Sequence, residues 1–220
     1  MVSKQNTSHA VMAQRIEPSD SLDDFPTPPW ATRALIKHII GIDKVAKDTC
    51  LEPACNRGFM SRTLEENFKT VTSSDVFDYG YGEVRDFLNG DYSKNQFDWV
   101  ITNPPFKLAE GFINEGLKVA TQGVAMLTRT TFIESVGRYE RLFSSNPPTI
   151  FAQFVERVPM VKGRLDKSAS TATGYCWLVW EKGTQNSAPK LAWIPPTRKK
   201  LERLDDYELP TQESKQKSLF

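Results

Sequence analysis

The sequence predicts an α/β domain, a doubly wound and mostly parallel sheet that ends in an antiparallel strand pair. Three observations predict it. Short apolar runs alternate with amphipathic stretches from about residue 49 to residue 143, and such strand–helix alternation makes a parallel sheet covered on both faces. The rhythm then changes, because residues 149–158 and 175–180 are two strand-like runs with no helical segment between them. Chemically unusual clusters fall at the ends of three predicted strands, where open sheets of this Rossmann-like kind bind ligands.

The first element is a helix over residues 31–40. Pro28 and Pro29 at its first turn, with Thr27 as cap, are a helix-start signal. Phe25 and Trp30 flank that signal and are expected to line a pocket. Thr49-Cys50-Leu51 ends a first strand, and residues 59–68 form the helix after it. Residues 70–75 are a second strand and residues 97–102 a third. Leu108, Phe112, Ile113, Leu117 and Ala120 recur near a 3.6-residue period, so residues 106–120 are helical. A buried strand over residues 123–127 and a helix over residues 132–143 precede the antiparallel pair. Residues 1–23 read as a flexible N-terminal extension, residues 24–195 as a single domain, and residues 196–220 as a polar C-terminal tail.

Bulk properties narrow the function classes. At 220 residues the chain suits one well-buried core rather than two ordinary domains. No apolar run approaches the length of a membrane span, and the first 24 residues lack the apolar stretch of a secretory signal. Cys50, Cys55 and Cys176 form no C-x-x-C pair, and their odd number argues against a disulfide framework. A cytoplasmic chain without a bound metal is the expectation. Lysine and arginine total 28 against 27 acidic residues, so any surface for nucleic acid is local.

The most specific cluster is Asn103-Pro104-Pro105-Phe106, directly after the third strand. Two consecutive prolines fix φ and delete two backbone donors, and Asn103 is held extended by the proline that follows it. The corner therefore offers acceptors, the Asn103 side-chain oxygen and the Pro104 carbonyl, to the two hydrogens of one planar amino group. Phe106 supplies a ring for a flat heterocycle. An amino nitrogen conjugated with a base is a poor nucleophile, and two acceptors out of the ring plane localise its lone pair.

The second cluster, Glu52-Pro53-Ala54-Cys55-Asn56-Arg57-Gly58, is a strand-to-helix turn of small residues that lets backbone approach a ligand. Asn56 stands where a second glycine is expected, and asparagine tolerates a left-handed backbone. The third cluster is acidic. Asp75 closes the second strand about twenty residues after the turn, where a carboxylate can hold ribose hydroxyls. Asp86-Phe87 follows a loop containing glycine and tyrosine and pairs an acceptor with a ring.

On these residues the chain resembles the adenine-N6 DNA methyltransferases of gamma-type motif order, including compact phage and prophage members. The match runs from about residue 24 to residue 180. The resemblance implies the class I methyltransferase fold, residues 24–195 as the catalytic domain, and S-adenosylmethionine as cofactor. It implies cofactor contacts from Thr27, Pro28, Glu52, Ala54, Asn56, Gly58, Asp75, Val76, Asp86 and Phe87. Asn103, Pro104 and Phe106 become catalytic, and Pro105 touches the substrate. Large family members carry a separate target-recognition domain, for which this chain has no room. Residues 160–173, with Lys162, Arg164 and Lys167, are the expected substitute, contacting phosphates.

The function expected is methyl transfer to the 6-amino group of an adenine flipped out of DNA, by a monomer or homodimer. The alternatives are RNA, a protein glutamine as acceptor, or a methyltransferase-like subunit without turnover. No general base is required, since the methylated amine becomes acidic. His9 and His38 accordingly stand near no motif.

Overall fold

The structure, a computed structural model, describes residues 23–184 and 188–208. Of the expected extension over residues 1–23, residues 1–22 lie outside the described residues, as does the end of the tail, residues 209–220, whereas Asp23 is fixed by the Phe106 amide. Eight strands form the sheet: β1 (Thr49–Glu52), β2 (Thr70–Asp75), β3 (Glu83–Val84), β4 (Phe97–Thr102), β5 (Ala120–Arg129), β6 (Ile150–Phe154), β7 (Tyr175–Glu181) and β8 (Lys190–Ile194). Their order is β3-β2-β1-β4-β5-β7-β6-β8. β7 runs antiparallel to both of its neighbours, and every other pairing is parallel. The predicted fold class is therefore the observed one, reversed strand included.

Side-chain alternation along the central strands builds two cores. In β4, Trp99 and Ile101 point to one face and Val100 to the other. β5 sends Ala125 and Leu127 one way and Val124 and Met126 the other; β7 likewise divides Trp177 and Val179 from Cys176 and Leu178. The first face is covered by α1 (Pro29–Leu35), the π-helical turn Ile36–Ile40 that continues it, and α3 (Phe59–Glu65). The second is covered by α4 (Ala109–Val119), which buries Ala109, Phe112, Ile113, Gly116 and Val119 along one stripe. Between the first-face elements, α2 (Ile42–Val45) follows Gly41, whose φ of 100° ends the π turn.

Several expectations are corrected. The helix expected over residues 132–143 is three pieces: a 3-10 turn Thr130–Ile133, α5 (Val136–Arg138) and a π turn Tyr139–Phe143. Ser135 breaks it, because its hydroxyl accepts from the Arg138 amide and starts a new helix. Thr27 does not cap α1; Pro28 holds that place and no side chain caps. Trp30 lines neither of the two cavities described below. It is fully buried, edge-on to Phe154 with ring centroids 5.7 Å apart.

β3 and β8, at the two edges of the sheet, were not foreseen. The start of the expected tail is built into the domain. There α6 (Arg198–Leu201) and a 3-10 turn Leu204–Tyr207 bring Asp206 to Arg33. Arg33 also holds Glu66 at 2.7 Å and the Leu201 carbonyl at 2.8 Å.

Candidate functional site

A cavity of about 350 Å3 opens at the carboxyl ends of β1, β2 and β4. From the turn after β1 it is lined by Glu52, Pro53, Ala54 and Asn56, and from the end of β2 by Asp75 and Val76. Asp86 and Phe87 come from the segment after β3, and Asn103 and Pro105 from the corner after β4. A strap of extended chain before α1 adds Asp23, Phe25, Pro26 and Thr27. The three clusters separated in sequence thus share one space.

Local backbone explains how they meet. Asn56 sits at φ 50°, the left-handed conformation anticipated for it. Its amide donates to Asp75 at 2.9 Å, and the Phe77 amide donates to the other oxygen of that carboxylate at 3.1 Å. Two backbone donors therefore aim the Asp75 side chain, although burial still raises its carboxyl above the ordinary range. Gly58 lies at φ 78° beneath the Tyr81 ring, and a Cβ there would fall 2.5 Å from ring carbons. Its role is to admit Tyr81; it does not line the cavity. Pro28 does not line it either.

Glu52 is the most perturbed acid of the site. Burial pushes its carboxyl up to about 8 against a hydrogen bond from Ser61, with the charge of Asp75 adding to the rise. Asp86 caps the 3-10 turn Phe87–Asn89 by accepting from the Leu88 amide at 2.9 Å, and Phe87 beneath it packs on Phe112. No lysine or arginine among the described residues lines this space. Four carboxyl groups do: Asp23, Glu52, Asp75 and Asp86.

The strap is latched at both ends of the site. Asp24 grips Arg57 through both oxygens, at 2.8 and 2.9 Å, and accepts from Asn56 at 2.7 Å. Burial alone would raise the Asp24 carboxyl, but the hydrogen bonds from Arg57 and Asn56 carry it below its usual value. Asp23 accepts the Phe106 amide at 2.8 Å. The Phe25 carbonyl accepts from Asn103 Nδ2 at 2.9 Å. That bond orients the carboxamide, leaving Asn103 Oδ1 buried with no donor. The Thr27 hydroxyl is likewise buried and unpartnered at the cavity wall.

The corner after β4 divides two spaces. Asn103 and Pro105 face the large cavity, whereas Pro104 and Phe106 line a second one of about 150 Å3 with Leu127, Arg129, Phe132 and Arg138. The Pro104 carbonyl accepts no hydrogen bond from the described residues.

The strand order with its reversed β7 and the ligand-sized space at the strand ends can be set beside known proteins. No protein-family model matches the sequence, and neither does any curated protein. Solved structures do match. A Pyrococcus horikoshii protein assigned as an RNA methyltransferase superposes with a TM-score of 0.56 at 16% identity, over 76% of this chain and 90% of its own. A Vibrio vulnificus protein assigned as the modification subunit of a type I restriction enzyme gives a TM-score of 0.56 at 13% identity. That match covers 88% of this chain and 52% of the Vibrio chain, so this chain spans about half of that relative. The fold is that of the class I methyltransferases.

The remaining predicted residues lie elsewhere. Lys162, Arg164 and Lys167 sit exposed on the loop between β6 and β7. Arg164 pairs with Asp166 at 3.1 Å, and the Lys167 carbonyl accepts from Arg198. The loop rests on the strap, with the Gly163 amide donating to the Asp24 carbonyl at 2.8 Å. Met160, at its start, brings Sδ within 3.8 Å of Asn103 Nδ2. Asp23, Asp24, Arg57, Arg129 and Arg138 are site residues beyond the predicted set. A pair of acids directly before a proline-rich segment was the available signal for the first two.

Proposed function

We propose that the chain transfers a methyl group from S-adenosylmethionine to the exocyclic 6-amino group of an adenine base in DNA. The observation that carries this reading is the pairing of Asn103, whose Nδ2 is committed to the Phe25 carbonyl while Oδ1 lies buried without a donor. A dry, unpaired acceptor costs about 1–3 kcal/mol. An amino hydrogen placed on it recovers that cost at the moment the amine is aimed.

The residues of the large cavity fit the cofactor. S-adenosylmethionine is cationic and rich in donors, and the wall offers four carboxyl groups and no basic side chain. Asp75, held by two backbone amides, suits the ribose hydroxyls. Asp86 and Phe87 with Val76 suit an adenine ring, and Glu52, Ala54, Asn56, Thr27 and the neighbouring turns suit the amino-acid end. When bound, the cofactor supplies an electrophilic methyl carbon on a sulfonium.

The protein's own part is positional. Asn103 Oδ1 and the Pro104 carbonyl each take one hydrogen of the amine and localise its lone pair. Positioning of this kind supplies most of the acceleration. The nitrogen, once methylated, carries an acidic proton that water removes, so no general base has to stand beside it.

RNA adenine is the second reading, favoured by the likeness to the Pyrococcus protein. One experiment tests both. The protein is incubated with methyl-labelled cofactor and separate DNA, RNA and protein pools, and the nucleic acids are digested to nucleosides. Label in N6-methyldeoxyadenosine is expected. Label confined to RNA replaces the acceptor, and label in none of the pools overturns the reading.

A further inference from the structure

The second cavity is built differently from the first. Its wall holds Arg129 and Arg138 and no carboxylate. Each guanidinium lies on an aromatic ring: Arg129 is 4.1 Å from the centroid of Phe106, and Arg138 is 4.4 Å from that of Phe132. Arg138 is further fixed by donating to the Phe132 carbonyl. Arg129, the last residue of β5, is exposed; its guanidinium also donates a hydrogen bond to the Tyr175 hydroxyl, a contact that an incoming phosphate has to replace together with the ring.

Neither forms an ion pair among the described residues; Arg62, Arg85 and Arg157 share that, but only Arg129 and Arg138 line this cavity. In a chain of net charge +1, two guanidinium groups without a close carboxylate partner, Arg138 feeling Glu110 only at longer range, stand beside one aromatic-walled cavity and form a local seat for an anion joined to a flat ring. Arginine on an aromatic ring next to a groove is also how proteins hold nucleotides in single-stranded form.

We infer that this cavity seats a phosphodiester-linked nucleotide, and that Arg129 is a placeholder on Phe106 which exchanges that ring for a backbone phosphate as the base enters. The inference rests on the reading of the Asn103 corner given above. A base cannot stack on the part of Phe106 that the guanidinium covers, so entry requires Arg129 to leave. An exposed cation–π contact is weak, and a charge-assisted bond to phosphate is stronger. The incoming strand thus supplies what displaces the guard. Arg138, pinned to its carbonyl, stays as the second cation.

The test measures binding of a short oligonucleotide over a range of salt concentrations, for wild type, Arg129→Ala, Arg129→Lys and Arg138→Ala. DNA and RNA of the same sequence form the two arms. Each alanine variant is expected to bind at least about tenfold more weakly. Its slope of log affinity against log salt should be shallower by about 1. In turnover, KM for the oligonucleotide should rise with kcat changed much less. Arg129→Lys should restore the salt slope, since it restores the charge.

Cofactor affinity, measured on the same variants, should match wild type. An unchanged affinity and salt slope in Arg129→Ala, or loss of cofactor binding in both Arg129 variants, would overturn the inference. Binding is read without turnover, so a wild-type protein that transfers no methyl group defeats the proposed function and leaves this test standing.

Discussion

The Asn103 carboxamide donates to the Phe25 carbonyl at 2.9 Å, and its oxygen receives nothing in return. A strap residue 78 positions earlier in the chain therefore decides which way the amide faces. The free oxygen is a consequence of that contact. Both ends of the carboxamide matter, one for aim and one for acceptance.

Removing the amide should damage chemistry and spare cofactor binding. Asn103→Ala is expected to lower kcat by at least about 100-fold, the scale of losing one aimed polar group. Asn103→Asp should not rescue it, because a carboxylate cannot donate to Phe25. Steady-state kinetics with calorimetric cofactor titration separate the two effects. Near-normal kcat in Asn103→Ala would remove Asn103 from the reaction.

Asp75→Ala should do the reverse. It deletes a carboxylate facing the large cavity and also frees the Asn56 amide. Cofactor affinity is expected to fall at least about tenfold, the value of a hydrogen bond to a charged group. Titration calorimetry reads it directly, and an unaltered affinity would place the cofactor elsewhere.

Glu52 makes stability depend on pH. Its carboxyl titrates at about 8 in the folded chain against 4.5 in its ordinary state. The folded state keeps a proton that the unfolded chain has released, so stability is full below the lower value and is lost as pH rises through the upper one. Each unit of difference weighs about 1.4 kcal/mol. Without ligand, Tm should drop between about pH 5 and about pH 8.5, and Glu52→Gln should flatten that drop. A wild-type curve already flat over this window would mean that Glu52 is ionised in the fold.

Arg33 is the fourth case. Its side chain is 9% exposed, and it binds Glu66 and Asp206 together. Arg33→Leu leaves Asp206, 3% exposed, with a buried charge and no cation, and should cost about 3–5 kcal/mol in urea unfolding. Asp206→Asn should cost less, since Glu66 still neutralises Arg33. Equal losses in the two variants would show that the arginine does not unite them.

The strand ends were readable because chemistry and period coincide there. β2 and β4 appear with the expected limits, and Asp75 and Asn103 stand at or just beyond their ends. Asn56 adopts the left-handed backbone that its place in the turn demanded. β8 leaves a weak pattern because it is a short edge strand in which Leu191 and Trp193 are more than half exposed and Ile194 alone is fully buried. The break at Ser135 was hidden by apolar spacing that suits a longer helix. Contacts such as Arg33 with Asp206, 173 positions apart, leave no local trace at all.

The wall between the two cavities has a consequence for how such a chain diversifies. Pro104 and Pro105 face opposite chambers from one rigid corner, so either chamber can be remodelled without disturbing the other's lining. On the function proposed above, exchanges at Phe132 or Arg138 change the acceptor side while the donor side keeps its lining. On that reading the corner is a shared sill: its Asn103 and Pro104 stay fixed where the two chambers meet, and the walls behind each are free to vary.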